Sequence, residues 1–349
     1  MLSAIYSQGK EITFAELPVP ECGDDDLLVR VRATCICGTD LKIAKNGHRK
    51  LSSGQTIVLG HEFSGDIVKT GRQVKGYGIG QRVGIAPNSG CGICDACIKG
   101  MANYCSEYQA FGINIDGCHT EYVRIPEKFI VQGNVIPLPE KISYVEAAML
   151  EAFSCVLNGI RSVKIDLGDT VLIFGAGPIG MMHLMLALRS GAGKVFMADI
   201  KEERLGKALE FGADAVFNSG TGDIAGKLKA ANCGKFADII ITACPVASVV
   251  EESVGLLSAF GRLCVFGGLP AGSPPVKFDS NAIHYKNLIV TGTTGGSVRD
   301  YLSSLRLVSG GKINLNKIIS DTFPLDRIED AYKKAFSGTS GKVAMLANN

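Results

Sequence analysis

The chain carries almost no net charge: 36 basic and 34 acidic side chains leave +2 over 349 residues. A surface so balanced argues against nucleic acid or an anionic membrane as the main partner. No charge-free apolar run reaches about 18 residues, the length that crosses a bilayer, so no transmembrane helix is expected. The first seventeen residues lack the basic-then-apolar order of a secretory signal, and a cytoplasmic protein is expected. Internal repeats and low-complexity stretches are missing, and helix signals are scarce before residue 140.

What is present is a globular composition. Apolar residues make up 46% and charged residues 20%, which excludes a disordered chain and suffices for two cores of ordinary size. Glycine is abundant at 43 residues, as in cofactor-binding β/α folds with many tight turns. Short strand-like runs at 27–33, 63–71, 81–87 and 120–125, punctuated by glycine and proline, suggest a compact barrel-like domain. The pattern changes near residue 143, where Ser143 and Glu146 form a helix-start signature ahead of helical apolar spacing. A strand, a glycine turn, a long apolar helix and a second strand ending in Asp199 follow. Further strand-like runs lie at 237–243, 262–268 and 288–294, with helix-like spacing between them. Such alternation indicates an α/β fold with a doubly wound parallel sheet. Beyond about 296 the chain reads as a helix, a short link and a final strand at 342–347.

Twelve cysteines are many for a chain of this length, and four of them fall between 91 and 105. Cys91, Cys94, Cys97 and Cys105 read C-x2-C-x2-C-x7-C. Such short spacings let neighbouring thiolates converge on one tetrahedral ion, whereas a disulfide scaffold belongs to short secreted chains. Gly92 and Gly100 ease the turns this requires. The expectation is a closed, four-thiolate, structural zinc.

Gly175-Ala176-Gly177-Pro178-Ile179-Gly180 follows the strand-like run TVLIF and opens a helix, the context in which G-x-G-x-x-G binds a dinucleotide. Gly175 permits the tight turn, Gly177 the approach of a pyrophosphate, and Gly180 close packing of helix on strand. Asp199 stands nineteen residues past Gly180, where a carboxylate accepts ribose hydroxyls and repels a 2′-phosphate. NAD is therefore favoured over NADP, although Lys201 and Arg204 nearby are cations able to tolerate that phosphate.

Two further motifs precede these: Cys35-Ile36-Cys37-Gly38-Thr39-Asp40 and Gly60-His61-Glu62-Phe63-Ser64-Gly65. Taken singly, His61 reads as a buried hydrogen-bonded histidine, Cys37 as a small core residue and Glu151 as a helix-capping or pairing group. Taken with the cysteine loop and the glycine turn, in this order and over nearly the whole chain, they resemble the zinc-containing medium-chain alcohol dehydrogenases. Within that family the chain looks most similar to the polyol (sorbitol-type) and threonine dehydrogenase branch, because Glu151 stands where the ethanol-type branch usually has cysteine.

The resemblance implies a GroES-like β-rich catalytic domain from residues 1–145, completed by 296–349, around a Rossmann NAD-binding domain from 146–295. It implies two zinc ions per subunit. Cys37, His61 and Glu151 would surround the catalytic one, with Glu62 as a further ligand candidate. Zinc would acidify a substrate hydroxyl, NAD would accept hydride, and Thr39 would open the proton relay. Many relatives carry histidine five residues after the zinc cysteine; here that residue is Lys42. The segment holding Lys42, Lys45, His48, Arg49 and Lys50 reads either as a solvated loop or as a cationic holder for a phosphate or carboxylate. The expected reaction is NAD-linked oxidation of a secondary alcohol in a polyol or sugar alcohol, free or phosphorylated. L-Threonine 3-dehydrogenase is the alternative enzyme, and a non-catalytic zinc- and nucleotide-binding protein the alternative of another class. A homodimer or homotetramer is expected from relatives.

Overall fold

The computed structural model describes residues 1–349 apart from 9, 48–50, 52, 53, 271, 339, 340, 348 and 349. The candidate cations His48, Arg49 and Lys50 lie outside the described residues. The chain divides into two compact units, one from Met1–Ser154 with Gly295–Asn349, the other from Cys155–Thr294.

The first unit is built on a seven-stranded sheet. Its path runs Val135–Pro137, Arg82–Ile85, Glu62–Thr70, Leu27–Cys35, Lys342–Leu346 and Ile319–Pro324, with Tyr122–Ile125 paired to the lower half of Leu27–Cys35. The central strand Leu27–Cys35 is buried except at the half-buried Arg30 and Arg32, as befits a strand flanked on both sides. One core cluster gathers Leu27, Val29, Phe63, Ile67, Phe111 and Phe129. A second joins Tyr6, Ile43, Leu59 and Tyr332. The stretch read as a short link after the helix Val298–Ser309 holds a strand, Ile319–Pro324, and a second helix, Ile328–Phe336. That strand alternates half-buried with exposed residues, and none is fully buried, so its apolar signal is weak.

The helix expected after Ser143 spans Tyr144–Val163. Its first turn is closed by the Ser143 hydroxyl accepting from the Glu146 backbone N–H at 3.2 Å, and by Glu146 Oε2 accepting from the Ser143 N–H at 3.3 Å.

The second unit is a six-stranded, all-parallel sheet ordered Ala215–Asn218, Lys194–Asp199, Thr170–Phe174, Ala237–Thr242, Leu257–Val265 and Ile289–Gly292. In sequence terms the order is 3-2-1-4-5-6, the doubly wound arrangement whose ligand site lies at the carboxyl ends of the first and fourth strands. The strand expected at 262–268 begins at Leu257 instead, with a register shift against Ala237–Ile239 and Phe260 in a left-handed conformation. Gly261 beside it broke the apolar run and hid the earlier start.

One core residue of this unit is anomalous. His183, on the helix Pro178–Arg189, is fully buried, and neither ring nitrogen has a hydrogen-bond partner. Its ring meets Phe266 edge-on, 4.6 Å between centroids. Burial pushes its pKa down to about 3. Above the ordinary histidine value the ring is neutral in the folded and unfolded chain alike. Below it only the unfolded chain takes up the proton, so stability falls as pH drops toward 3, by about 2 kcal/mol at pH 5. His183→Leu should stabilise the chain at pH 7 by about 1–3 kcal/mol, through loss of the unpartnered polar atoms. Urea unfolding should show that gain widening at pH 5.

Candidate functional site

The antiparallel register of the first unit assembles the site. Cys35 lies opposite Glu62 on one side and opposite Ala344 on the other. The chain ends around this point therefore bring together Cys37, His61, Glu62 and Lys342, although 280 positions separate Glu62 from Lys342. Just past its strand, Cys37 caps the helix Gly38–Asn46: its sulfur accepts from the Thr39 N–H at 3.5 Å. The Asp40 carboxylate closes the capping box by accepting from the Cys37 N–H at 2.7 Å.

Glu62 enters on the strand Glu62–Thr70 and His61 on the turn before it. One ligand atom from each of Cys37, His61 and Glu62 fits within 4.8 Å of the others. Glu62 Oε1 is held by Lys342 Nζ at 2.5 Å, while Oε2 is buried without a partner. His61 Nδ1 lies 3.2 Å from Asp40 Oδ1, and neither atom has another partner. Burial disfavours the charged form of His61, yet Asp40 and Cys37 raise its pKa well above the ordinary value. Burial would likewise raise the Asp40 pKa, but His61, His119 and the Cys37 N–H hold it at about 2. The surroundings that favour a proton on His61 favour a metal cation in its place. A thiolate, an imidazole and a carboxylate oxygen without a partner form a donor set suited to zinc.

Thr39 is half-buried, two residues beyond Cys37, and Lys42 is exposed one turn farther along the same helix. Glu151 is buried on Tyr144–Val163 but stands outside the three-residue group; its carboxylate acts electrostatically on Tyr301, whose hydroxyl donates to the Ala147 carbonyl at 3.0 Å. Asp40 closes the Cys35–Asp40 motif noted in the sequence, but no role was read for it there, and nothing near Lys342 marks that residue.

The four cysteines of the loop form a second group, with their sulfurs within 4.8 Å of one another. Gly92 and Gly100 take the left-handed conformations the turns require. A side chain on Gly90 would stand 2.3 Å from Cys97 Sγ. Backbone N–H groups of Cys91 and Cys94 point at Cys105 Sγ and Cys91 Sγ, at 3.3 and 3.4 Å. The N–H groups of Ile93 and Cys94 lower the Cys91 pKa to about 7, while burial raises Cys97 to about 11. Four crowded thiols cannot all ionise without a cation, and the geometry suits zinc held by four thiolates.

In the second unit, Gly175 has φ +100° and Gly180 packs so tightly that a Cβ would lie 1.7 Å from the Gly175 carbonyl oxygen. Gly177 caps the helix that Pro178 and Ile179 open, and the nearest atom to a Cβ there would be Arg204 Nη1 at 3.8 Å. Asp199 ends its strand, accepting from the Ala176 N–H at 2.7 Å and the Lys201 N–H at 2.9 Å, with Arg204 Nη1 3.9 Å away. The turn thus places the N-terminus of the helix Pro178–Arg189 at the end of the strand Thr170–Phe174, the usual seat of a pyrophosphate.

Comparison with known proteins agrees with this chemistry. The family described as the alcohol dehydrogenase GroES-like domain matches residues 23–139, and that described as zinc-binding dehydrogenase matches 178–310. The chain is 32% identical over 349 residues to an L-threonine 3-dehydrogenase of Rhizobium etli (strain CIAT 652), covering 99% of this chain and 98% of the relative. Among solved structures it is similar to a zinc-binding dehydrogenase of Sinorhizobium meliloti 1021 bound to NADP, with TM-score 0.89, 30% identity, and 99% and 98% of the two chains covered. It is also similar to galactitol-1-phosphate dehydrogenase of Escherichia coli, with TM-score 0.86, 27% identity, and 99% and 100% covered.

Metal analysis separates the two clusters. Purified wild type should carry two zinc ions per chain. Cys97→Ser should carry one and unfold at markedly lower temperature. Cys37→Ala should also carry one, with its melting temperature little changed and its activity lost. Mass spectrometry under native conditions and thermal unfolding would check both.

Proposed function

Because this chain belongs to the zinc-binding alcohol dehydrogenase family, we propose that it oxidises a secondary alcohol flanked by a second polar group, with a polyol or sugar alcohol as the first candidate. The observation that carries the reading is the Cys37, His61 and Glu62 group, whose ligand atoms lie within 4.8 Å of one another. When bound, zinc would acidify the substrate hydroxyl, and the nicotinamide would accept the hydride. Cys37 and His61 would hold the metal, with Glu62 and Glu151 as the two carboxylates of the site. Thr39 would take the proton from the substrate hydroxyl and pass it toward solvent, with exposed Lys42 standing where many relatives have histidine. Asp199 would receive the adenosine ribose and favour NAD, while Arg204 keeps NADP within reach.

L-Threonine is the second reading. It rests on the relatives named L-threonine 3-dehydrogenase, which align over 99% of the chain. Threonine and polyols share a secondary hydroxyl beside a polar substituent, so the metal site alone does not separate them. The likeness to galactitol-1-phosphate dehydrogenase supports the phosphorylated form of the polyol reading. A second copy would pair at the outer edge of the strand Ile289–Gly292, where Ile289 is exposed, as are Phe260 and Tyr285 in the same unit.

The test is formation of NADH or NADPH with sorbitol, xylitol, galactitol, their phosphates, L-threonine and simple alcohols. Turnover of one class, abolished by a zinc chelator, is expected. Thr39→Val should lower kcat by about 100-fold, the usual scale of a lost proton-transfer group, with zinc content unchanged. Full activity in that variant would remove Thr39 from the relay. Sedimentation should show a dimer or tetramer.

A further inference from the structure

His119 is fully buried, lies outside every motif noted in the sequence, and packs against the backbone that delivers His61. The segment 117–119 is laced onto 58–60. Gly117 N–H donates to the Val58 carbonyl, Cys118 N–H to that of Gly60, and His119 N–H to that of Leu59, at 2.7, 3.0 and 2.9 Å. A Cβ on Gly60 would stand 2.3 Å from the His119 ring, and one on Gly117 would stand 2.1 Å from the Gly60 carbonyl oxygen. His119 and the turn before His61 are therefore in direct contact, and neither can shift without the other.

The hydrogen bonds of the ring fix its tautomer. Nε2 lies 3.2 Å from the Cys35 carbonyl oxygen, which only accepts, so Nε2 carries the proton. In the neutral ring Nδ1 is then an acceptor, and the Tyr332 hydroxyl donates to it at 2.7 Å. Burial lowers the His119 pKa, in keeping with a neutral ring. Nε2 also lies 4.0 Å from Asp40 Oδ2, the oxygen that accepts from the Cys37 N–H, while the other oxygen faces His61. The path Tyr332, His119, Asp40, His61 thus runs from the C-terminal helix Ile328–Phe336 to the candidate metal site, and every member is buried.

We propose that His119 and Tyr332 are positioning residues of the Cys37 and His61 metal site, holding Asp40 and the His61 turn in the arrangement that binds the cation. The Tyr332 hydroxyl sets the tautomer of His119. The His119 N–H dipole faces the Asp40 carboxylate and, with the Cys37 N–H, leaves Oδ1 for His61. Loss of partners behind a metal-binding histidine typically weakens metal affinity by about 10–100-fold. The proposal rests on the reading that Cys37, His61 and Glu62 hold a metal.

The experiment is a competitive zinc titration of the full-length protein, paired with visible spectra after cobalt substitution, for wild type, His119→Phe, Tyr332→Phe and Phe14→Leu. Phe14 packs edge-on against Tyr332, 5.7 Å between centroids, and makes no hydrogen bond to it, so its variant reports packing alone. Expected are about 10–100-fold weaker binding at the Cys37 site in His119→Phe and a smaller loss in Tyr332→Phe, with altered cobalt bands. Binding at the four-cysteine site should be unchanged, and Phe14→Leu should bind like wild type at both sites. In wild type, 15N spectra should show His119 protonated on Nε2 and bare on Nδ1. If His119→Phe fails to fold, Tyr332→Phe and the wild-type spectrum still decide. Wild-type affinity and cobalt bands in Tyr332→Phe and His119→Phe would overturn this proposal alone, as would an equal loss in Phe14→Leu. A wild type that binds only one zinc would overturn the metal reading and this proposal with it.

Discussion

The buried carboxylate of Asp40 is the constraint on which the first unit's site depends. One oxygen accepts the Cys37 N–H and so starts the helix that presents Cys37 and Thr39. The other faces His61 across 3.2 Å. An isolated buried carboxylate is among the costliest groups a fold can contain. This one is retained because it does two jobs at one point: it caps a helix and orients an imidazole. Its pKa near 2 shows how far the surrounding donors outweigh the burial that opposes its charge. Asparagine would keep much of the shape but lose the charge that faces His61.

The two cysteine-bearing sites follow opposite designs. The four-cysteine loop draws all its ligands from fifteen residues, and left-handed glycines make the backbone tight enough for the sulfurs to meet. Its geometry is local, and its thiols compete for ionisation until a cation is present. The Cys37 site draws on strand ends far apart in sequence, so it exists only once the sheet register is set. A closed local site suits a structural ion. An assembled site of mixed donors, one half-buried and two buried, suits chemistry.

What the sequence disclosed follows from the same distinction. The cysteine loop and the glycine turn were legible because spacing alone defines them, and the structure gives Gly175, Gly177 and Gly180 the conformations and clearances that spacing implied. Cys37 and His61 were legible only as part of a resemblance, since each alone reads as an ordinary core residue. Lys342, His119 and Tyr332 were not legible at all. Their partners lie 280, 84 and 213 positions away, and no periodicity encodes a cross-strand meeting of that kind. The early start of the strand Leu257–Val265 escaped for a local reason, a left-handed Phe260 beside a glycine.

Charge accounts for why Glu62 is shared. A buried ion pair such as Glu62 with Lys342 gives little net stability, because desolvation cancels most of the attraction. Leaving Oε2 without a partner adds a cost of about 1–3 kcal/mol. The arrangement makes sense as part of a larger group: a cation at Cys37, His61 and Glu62 would give that oxygen a partner. A charged His119 beside Asp40 would oppose such a cation, whereas a neutral ring does not. Lys342 offsets one negative charge without supplying a competing ligand, since an ammonium group has no lone pair to offer. The C-terminal strand thereby adds a positive charge to a group, Cys37, His61 and Glu62, that comes from the first sixty-two residues.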